Sequence, residues 1–146
     1  MIEFKRILPA FLVVLGGFLI LYLMMIIGNK LAYNYRMDLI DSGRYSITKI
    51  DRFVNEPRAS YYIYYFEYKN KSYKGRFNFE RKYRLKQGKT YFVLFNPSKP
   101  SKIPVLIQTF SVPDSITKAP PEGWKEIPIP VSKEEIRKYL EFGEND

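Results

Sequence analysis

The sequence predicts a single N-terminal transmembrane helix followed by a mainly antiparallel β domain, an SH3-like or OB-like small barrel of about five strands, and a short C-terminal helix. Three observations carry this expectation. The run Ile7–Ile27 holds no charged residue. Aromatic side chains recur at every second position through the middle of the chain, at Tyr62, Tyr64, Phe66 and Tyr68. Clusters of Asn, Gly and Pro separate short β-branched and aromatic runs, as turns separate strands.

At about 1.5 Å per helical residue, Ile7–Ile27 spans roughly 30 Å, the thickness of a bilayer core. Backbone groups in lipid must bond within their own segment, so the run is expected to be a helix that contacts membrane lipid. It exceeds the apolar core of a cleaved signal peptide, about 7–15 residues, and an uncleaved anchor is expected. Lys5 and Arg6 precede it, and a cytoplasmic tail over 1–6 follows from the positive-inside rule. The expected location is a bacterial inner (cytoplasmic) membrane, with the β domain outside the cytoplasm. Residues 28–43 read as a juxtamembrane helix, with Leu31, Tyr35 and Leu39 on one face and Gly43 as its cap.

Residues 44–112 hold the β domain. Arg44–Val54 alternates as a first strand, and Asn55-Glu56-Pro57-Arg58 reads as a turn. Tyr61–Phe79 reads as a hairpin about an Asn70-Lys71 turn. That register sets Tyr68 against Tyr73, Phe66 against Gly75, Tyr64 against Phe77 and Tyr62 against Phe79 on one side. On the other it pairs Glu67 with Lys74, Tyr65 with Arg76 and Ile63 with Asn78. Gly75 opposite a large ring leaves room for it, or for a bend toward barrel closure. Glu80–Gly88 is a basic connection, Thr90–Phe95 a central apolar strand, Asn96–Pro100 a rigid turn and Val105–Val112 a last strand. Residues 113–131 form a Pro-rich arm around Trp124, able to pack on this chain or to await a partner. Residues 132–146 are a short helix and tail, opened by the capping-box pattern Ser132-Lys133-Glu134-Glu135.

The net charge is +9, unevenly placed. Arg44–Lys102 carries 15 Lys/Arg against 4 Asp/Glu, and Ile103–Asp146 carries 5 against 8. A basic body suits an anionic partner; it also suits a solvated face with blunted strand edges. The chain has neither Cys nor His, which removes disulfides, thiolate chemistry, the commonest general base and the commonest zinc ligand. No Gly-rich phosphate loop, metal-ligand motif or nucleophile elbow occurs. Asp51, Glu56, Glu67 and Glu80 are the carboxylates of the β region; Glu67 is assigned to Lys74, and the others read as turn or edge charges. No catalytic, cofactor-binding or metal-binding residue is therefore expected. The candidate partner-binding residues are Tyr65, Lys69, Lys71, Lys74, Arg76, Arg81, Lys82, Arg84, Lys86 and Trp124.

Tyr64-x-Phe66-x-Tyr68, Asn70-Lys71-x-Tyr73-x-Gly75, Leu85-x-x-Gly88 and Val93-x-Phe95-Asn96-Pro97-x-x-Pro100 together resemble a bacterial family of membrane-anchored small β-barrels of unknown function. That family's pattern is a Tyr-x-Gly strand followed by a Tyr/Phe-Asn-Pro-x-x-Pro turn. In this chain Phe95 stands for the usual Tyr and Asn70 for the usual turn Gly. The resemblance implies an architecture and no activity.

The expected function is that of a membrane-anchored, non-catalytic protein-interaction module, either an accessory subunit of an envelope complex or an immunity protein capturing a toxin at the membrane. A protein partner, an acidic one among the options, is anticipated. The alternative is a binder of anionic lipid or nucleic acid through the basic hairpin. Tethering disfavours nucleic acid, and each Lys or Arg near an anionic bilayer contributes about 1 kcal/mol.

Overall fold

A computed structural model describes residues 2–79 and 85–142. The chain divides into two units, Met1–Arg36 and Met37–Asp146. Met1, the Glu80–Arg84 part of the basic connection and the Gly143–Asp146 tail lie outside the described residues.

The first unit is helical. Helix α1 (Ile2–Ser42) joins the predicted span and the predicted juxtamembrane helix in one uninterrupted element. It is long and apolar enough to cross a membrane. Large apolar side chains from Phe11 to Ile27 stand exposed, and nothing in the described chain covers them.

The second unit is a curled half-barrel. Strands β1 (Arg44–Glu56), β2 (Ala59–Tyr68), β3 (Lys71–Asn78), β4 (Thr90–Phe95) and β5 (Val105–Ile107) form one antiparallel sheet in the order β3-β2-β1-β4-β5. β1 is thus the middle strand, and β4 (Thr90–Phe95) is interior as expected, bonded to β1 on one side and β5 on the other. It runs two residues beyond the expected Val54 and turns at Pro57-Arg58. A bulge between Ile50 and Arg52 bends it. β5 stops at Ile107, well short of the expected Val112. Helix α2 (Lys133–Phe142) begins where the capping box placed it: the Glu135 amide donates to Ser132 Oγ at 3.2 Å, and the Ser132 amide donates to Glu135 Oε2 at 2.8 Å.

The hairpin register differs from the expected one. The two-residue turn is Lys69-Asn70, with φ of 51° and 58°. Positive φ at both central residues matches the right-handed strand twist. Tyr68 therefore faces Lys71, Phe66 faces Tyr73, Tyr64 faces Gly75 and Tyr62 faces Phe77. On the other side Glu67 faces Ser72, Tyr65 faces Lys74, Ile63 faces Arg76 and Tyr61 faces Asn78. The pairings of Glu67 with Lys74 and Tyr65 with Arg76 are thus replaced. The slip is two residues, an even number, so every side chain keeps its predicted face.

The inner face of the curl is aromatic. Tyr62, Tyr64, Phe66 and Tyr68 meet Ile50, Tyr91, Val93, Phe95 and Leu106, with Tyr73, Phe77, Phe79 and Leu85 packed against them. Phe66 and Phe95 lie 4.8 Å apart between centroids, and Tyr68 meets Phe95 edge-on at 5.0 Å. Rings in such tilted contacts add about 0.5–1.5 kcal/mol beyond burial. Tyr45, Phe92, Leu94 and Ile107, which alternation places on the opposite face, are buried too, as are Leu39, Ile40, Ile127, Ile136 and Leu140. Gly43 ends α1, its amide donating to Leu39 O at 2.8 Å. A side chain there would meet Leu39 O and, at 2.7 Å, Leu94 Cδ1. Close approach, rather than a left-handed φ, is what calls for glycine.

Tyr64 fastens the curl. Its ring lies where a Gly75 side chain would be, and its hydroxyl donates to Pro104 O at 3.1 Å, just before the far edge strand. Gly75→Ala should therefore destabilise by about 1–3 kcal/mol through overpacking. Tyr64→Phe should cost about 1–2 kcal/mol by stranding the Pro104 carbonyl. Urea unfolding of the full chain in mild detergent measures both; an alanine variant as stable as the parent would contradict the packing described.

Burial, with the Asp41 and Glu126 carboxylates, pushes the Tyr45 phenol up to about 12, and burial pushes Tyr64 further up. An unfolded tyrosine ionises near pH 10. Both folded groups hold their protons more tightly than the unfolded chain does. Their contribution is complete below about pH 10 and is lost as pH rises through 10 toward 12. The urea midpoint should fall across that window, less steeply in Tyr45→Phe; identical profiles would contradict this account.

Candidate interaction face

Alternation along the strands places Tyr61, Ile63, Tyr65 and Glu67 of β2 on the outer face. Ser72, Lys74, Arg76 and Asn78 of β3 share that face, with Lys49 and Arg52 of β1. Lys49 and Lys74 flank Tyr65 in register, and Arg52 and Arg76 flank Ile63. Four cations thus bracket one apolar and one phenolic side chain. Tyr65 is 43 % exposed, whereas Ile63 is 3 % exposed. The Arg76 guanidinium lies over the Tyr61 ring, 3.5 Å from its centroid, and the Tyr61 hydroxyl donates to Glu56 Oε1 at 3.0 Å. That bond to Glu56 holds the phenol above its usual range. A stacked guanidinium keeps its edge free for a carboxylate, which suits recognition of anions. Arg52 is weakly engaged by Asp51 at 3.9 Å, both exposed.

The predicted cationic set does not form one patch. Lys74 and Arg76 lie on the outer face, whereas Lys71 is opposite Tyr68 and shares the alternation of the inner residues. Lys69 occupies the turn. Its ammonium lies 5.4 Å from the Tyr68 ring centroid and 3.8 Å from Glu122 Oε2, and its amide donates to Pro121 O at 2.7 Å. Lys86 is exposed, and its amide donates to Tyr91 Oη at 2.8 Å. Arg81, Lys82 and Arg84 lie outside the described residues. Lys49 and Arg52, which complete the outer patch, were not among the expected residues. Only the strand order reveals them, by setting β1 beside β2.

Trp124 has a structural partner on its own chain. Its amide donates to Tyr45 O at 2.9 Å, and the Tyr45 amide donates to Trp124 O at 2.8 Å. Gly123, at φ 65°, permits this approach, since a side chain there would meet Tyr45 O at 2.8 Å. The Pro-rich arm therefore packs in cis between the start of β1 and the end of β2.

β1 and β2 part beyond the Thr48–Phe66 pair. Side-chain hydroxyls reinforce the end of the ladder and extend past it: Thr48 Oγ1 donates to Tyr65 O at 2.6 Å and Ser46 Oγ donates to Glu67 O at 3.2 Å. A cleft of about 820 Å³ opens beside this split, between the strands and residues 111–119. Lys49, Lys89 and Lys118 line it together with Glu67, Asp114 and Tyr65. The cleft adjoins the cationic face through Lys49 and Tyr65. Among the described residues no group of three acidic, His or Cys side chains is placed to hold a metal ion. The arrangement offers charge, hydroxyls and aromatic surface, chemistry suited to binding.

Comparison with known proteins returned no matching family model, no matching characterised protein and no matching solved structure.

Proposed function

We propose that the chain is a membrane-anchored, non-catalytic module that binds a protein partner through the outer face of β1, β2 and β3. The observation that carries this reading is the bracket of Lys49, Arg52, Lys74 and Arg76 around Tyr65 and Ile63. An aromatic anchor ringed by cations is the composition of an interaction surface; isolated solubility lysines would not need the buried Ile63 and the stacked Arg76. The exposed apolar length of α1 supports membrane anchoring, and Lys5 and Arg6 ahead of the span favour a cytoplasmic N-terminus with the β domain outside. An accessory role in an envelope assembly, or capture of an incoming toxin, both use this arrangement.

A photoreactive phenylalanine analogue at position 65, in living cells, tests the reading. Discrete protein adducts are expected from position 65 and not from exposed position 109, and Lys74→Glu with Arg76→Glu should abolish them. Adducts with lipid alone, or none, would overturn the reading in favour of a lipid surface or no partner. A reporter active only outside the cytoplasm, fused after Asp146, should score positive; a cytoplasmic signal would overturn the orientation.

A further inference from the structure

The cleft beside the β1–β2 split holds charges that the protein-binding face does not account for. Lys49, Tyr65 and Glu67 of the outer face form one side of it. Residues 111–119 form another, with Asp114 and Lys118, and Lys89, just ahead of β4, lines it too. This second side is shaped by a turn of its own, in which the Ile116 amide donates to Pro113 O at 2.9 Å. At about 820 Å³ the cleft falls within the roughly 300–1,000 Å³ of small-molecule sites. Lys49, Lys89 and Lys118 thus reach one opening from three separate stretches of chain, beside the carboxylates of Glu67 and Asp114. Among the described residues none of these five groups forms an ion pair. Three cations against two carboxylates leave the cleft net positive.

We propose that this cleft binds an anionic carbohydrate, a sugar ring carrying a phosphate or a carboxylate. Each kind of side chain in the cleft has a counterpart in such a ligand. The ammonium groups donate to phosphate or carboxylate oxygens in short, charge-assisted bonds. The carboxylates of Glu67 and Asp114 are acceptors only; they repel a bare anion and accept from sugar hydroxyls. The Tyr65 ring, 43 % exposed, offers a flat apolar surface to the C–H face of a sugar and a hydroxyl at its edge. An acidic peptide would set like charge against Glu67 and Asp114, and a neutral sugar would leave the three ammonium groups without a counter-ion. The site shares Lys49 and Tyr65 with the proposed protein-binding face. It stands on the cleft and on Lys89, Lys118 and Asp114, which that face does not contain.

Protein-observed NMR titration of the full chain in mild detergent tests this, with glucose 6-phosphate, glucuronate, glucose and inorganic phosphate as probes. Glucose 6-phosphate, glucuronate or both should bind, and the one that binds more tightly identifies the anionic group. Glucose and inorganic phosphate should bind about tenfold more weakly or less. Lys89→Ala with Lys118→Ala should weaken binding of the sugar anions roughly tenfold. Lys99→Ala, on the loop that follows the other end of β4, should leave it unchanged. Asp114→Asn should weaken the sugar anions but not inorganic phosphate, because only the sugars bring hydroxyls. All four positions are exposed, and the fluorescence of Trp124 checks folding. No binding of either sugar anion at about 10 mM would overturn the inference. Inorganic phosphate binding as tightly as the sugar anions would reduce the site to bare charge and overturn it too, as would binding unchanged in the double lysine variant.

Discussion

The half-barrel depends on one contact, the Tyr64 ring lying across Gly75 with its hydroxyl on the Pro104 carbonyl. A flat antiparallel sheet of these sequences would expose its aromatic face. Curling brings that face against itself, but two edge regions far apart in sequence must then be held near one another. A residue with a Cβ on β3 would push the ring away. A ring without a hydroxyl would leave the carbonyl unpaired. Tyr64, fully buried, supplies reach and hydrogen bond together, and Gly75 supplies the space. The tilted rings of Phe66, Tyr68 and Phe95 fill the remainder of the interior.

Curling has a cost in backbone pairing, and the chain meets it locally. Where β1 leaves β2, the Ser46 hydroxyl bonds the Glu67 carbonyl beyond the last ladder pair, and the Thr48 hydroxyl adds a bond to the Tyr65 carbonyl. Farther on, the arm enters the gap: Pro121 accepts from Lys69, and Trp124 pairs with Tyr45. Proline suits this segment because its lost N–H groups need no partner and its fixed φ keeps the arm extended. The parting of β1 and β2 also opens the cleft beside Tyr65. Packing inside and charge outside are thus consequences of the same curvature.

Much of this was legible in the chain itself. Period-two placement of Tyr62, Tyr64, Phe66 and Tyr68 set the faces correctly, and the faces survived a turn misplaced by one residue because the register moved by two. The error has a physical cause. Lysine seldom adopts a positive φ, so Lys69 did not read as a turn centre, although Asn70 beside it did. The need for space at Gly75 was legible; which ring fills it was not, since that follows from register. The arm's docking was invisible because backbone-to-backbone bonds carry no side-chain signature. Lys49 and Arg52 joined the cationic face only through strand order, a tertiary property. The capping box at Ser132 and Glu135, by contrast, is wholly local and appears as expected.

The central claim is that β3 bonds to β2 in the register that sets Lys74 and Arg76 on the outer face. Amide hydrogen exchange of the full chain in mild detergent, read residue by residue, addresses it directly. The account predicts that Tyr73, Gly75 and Phe77 exchange slowly while Ser72, Lys74 and Arg76 exchange fast. Uniform protection along β3, or protection of the opposite set, would contradict this pairing and the register on which the proposed interaction face depends.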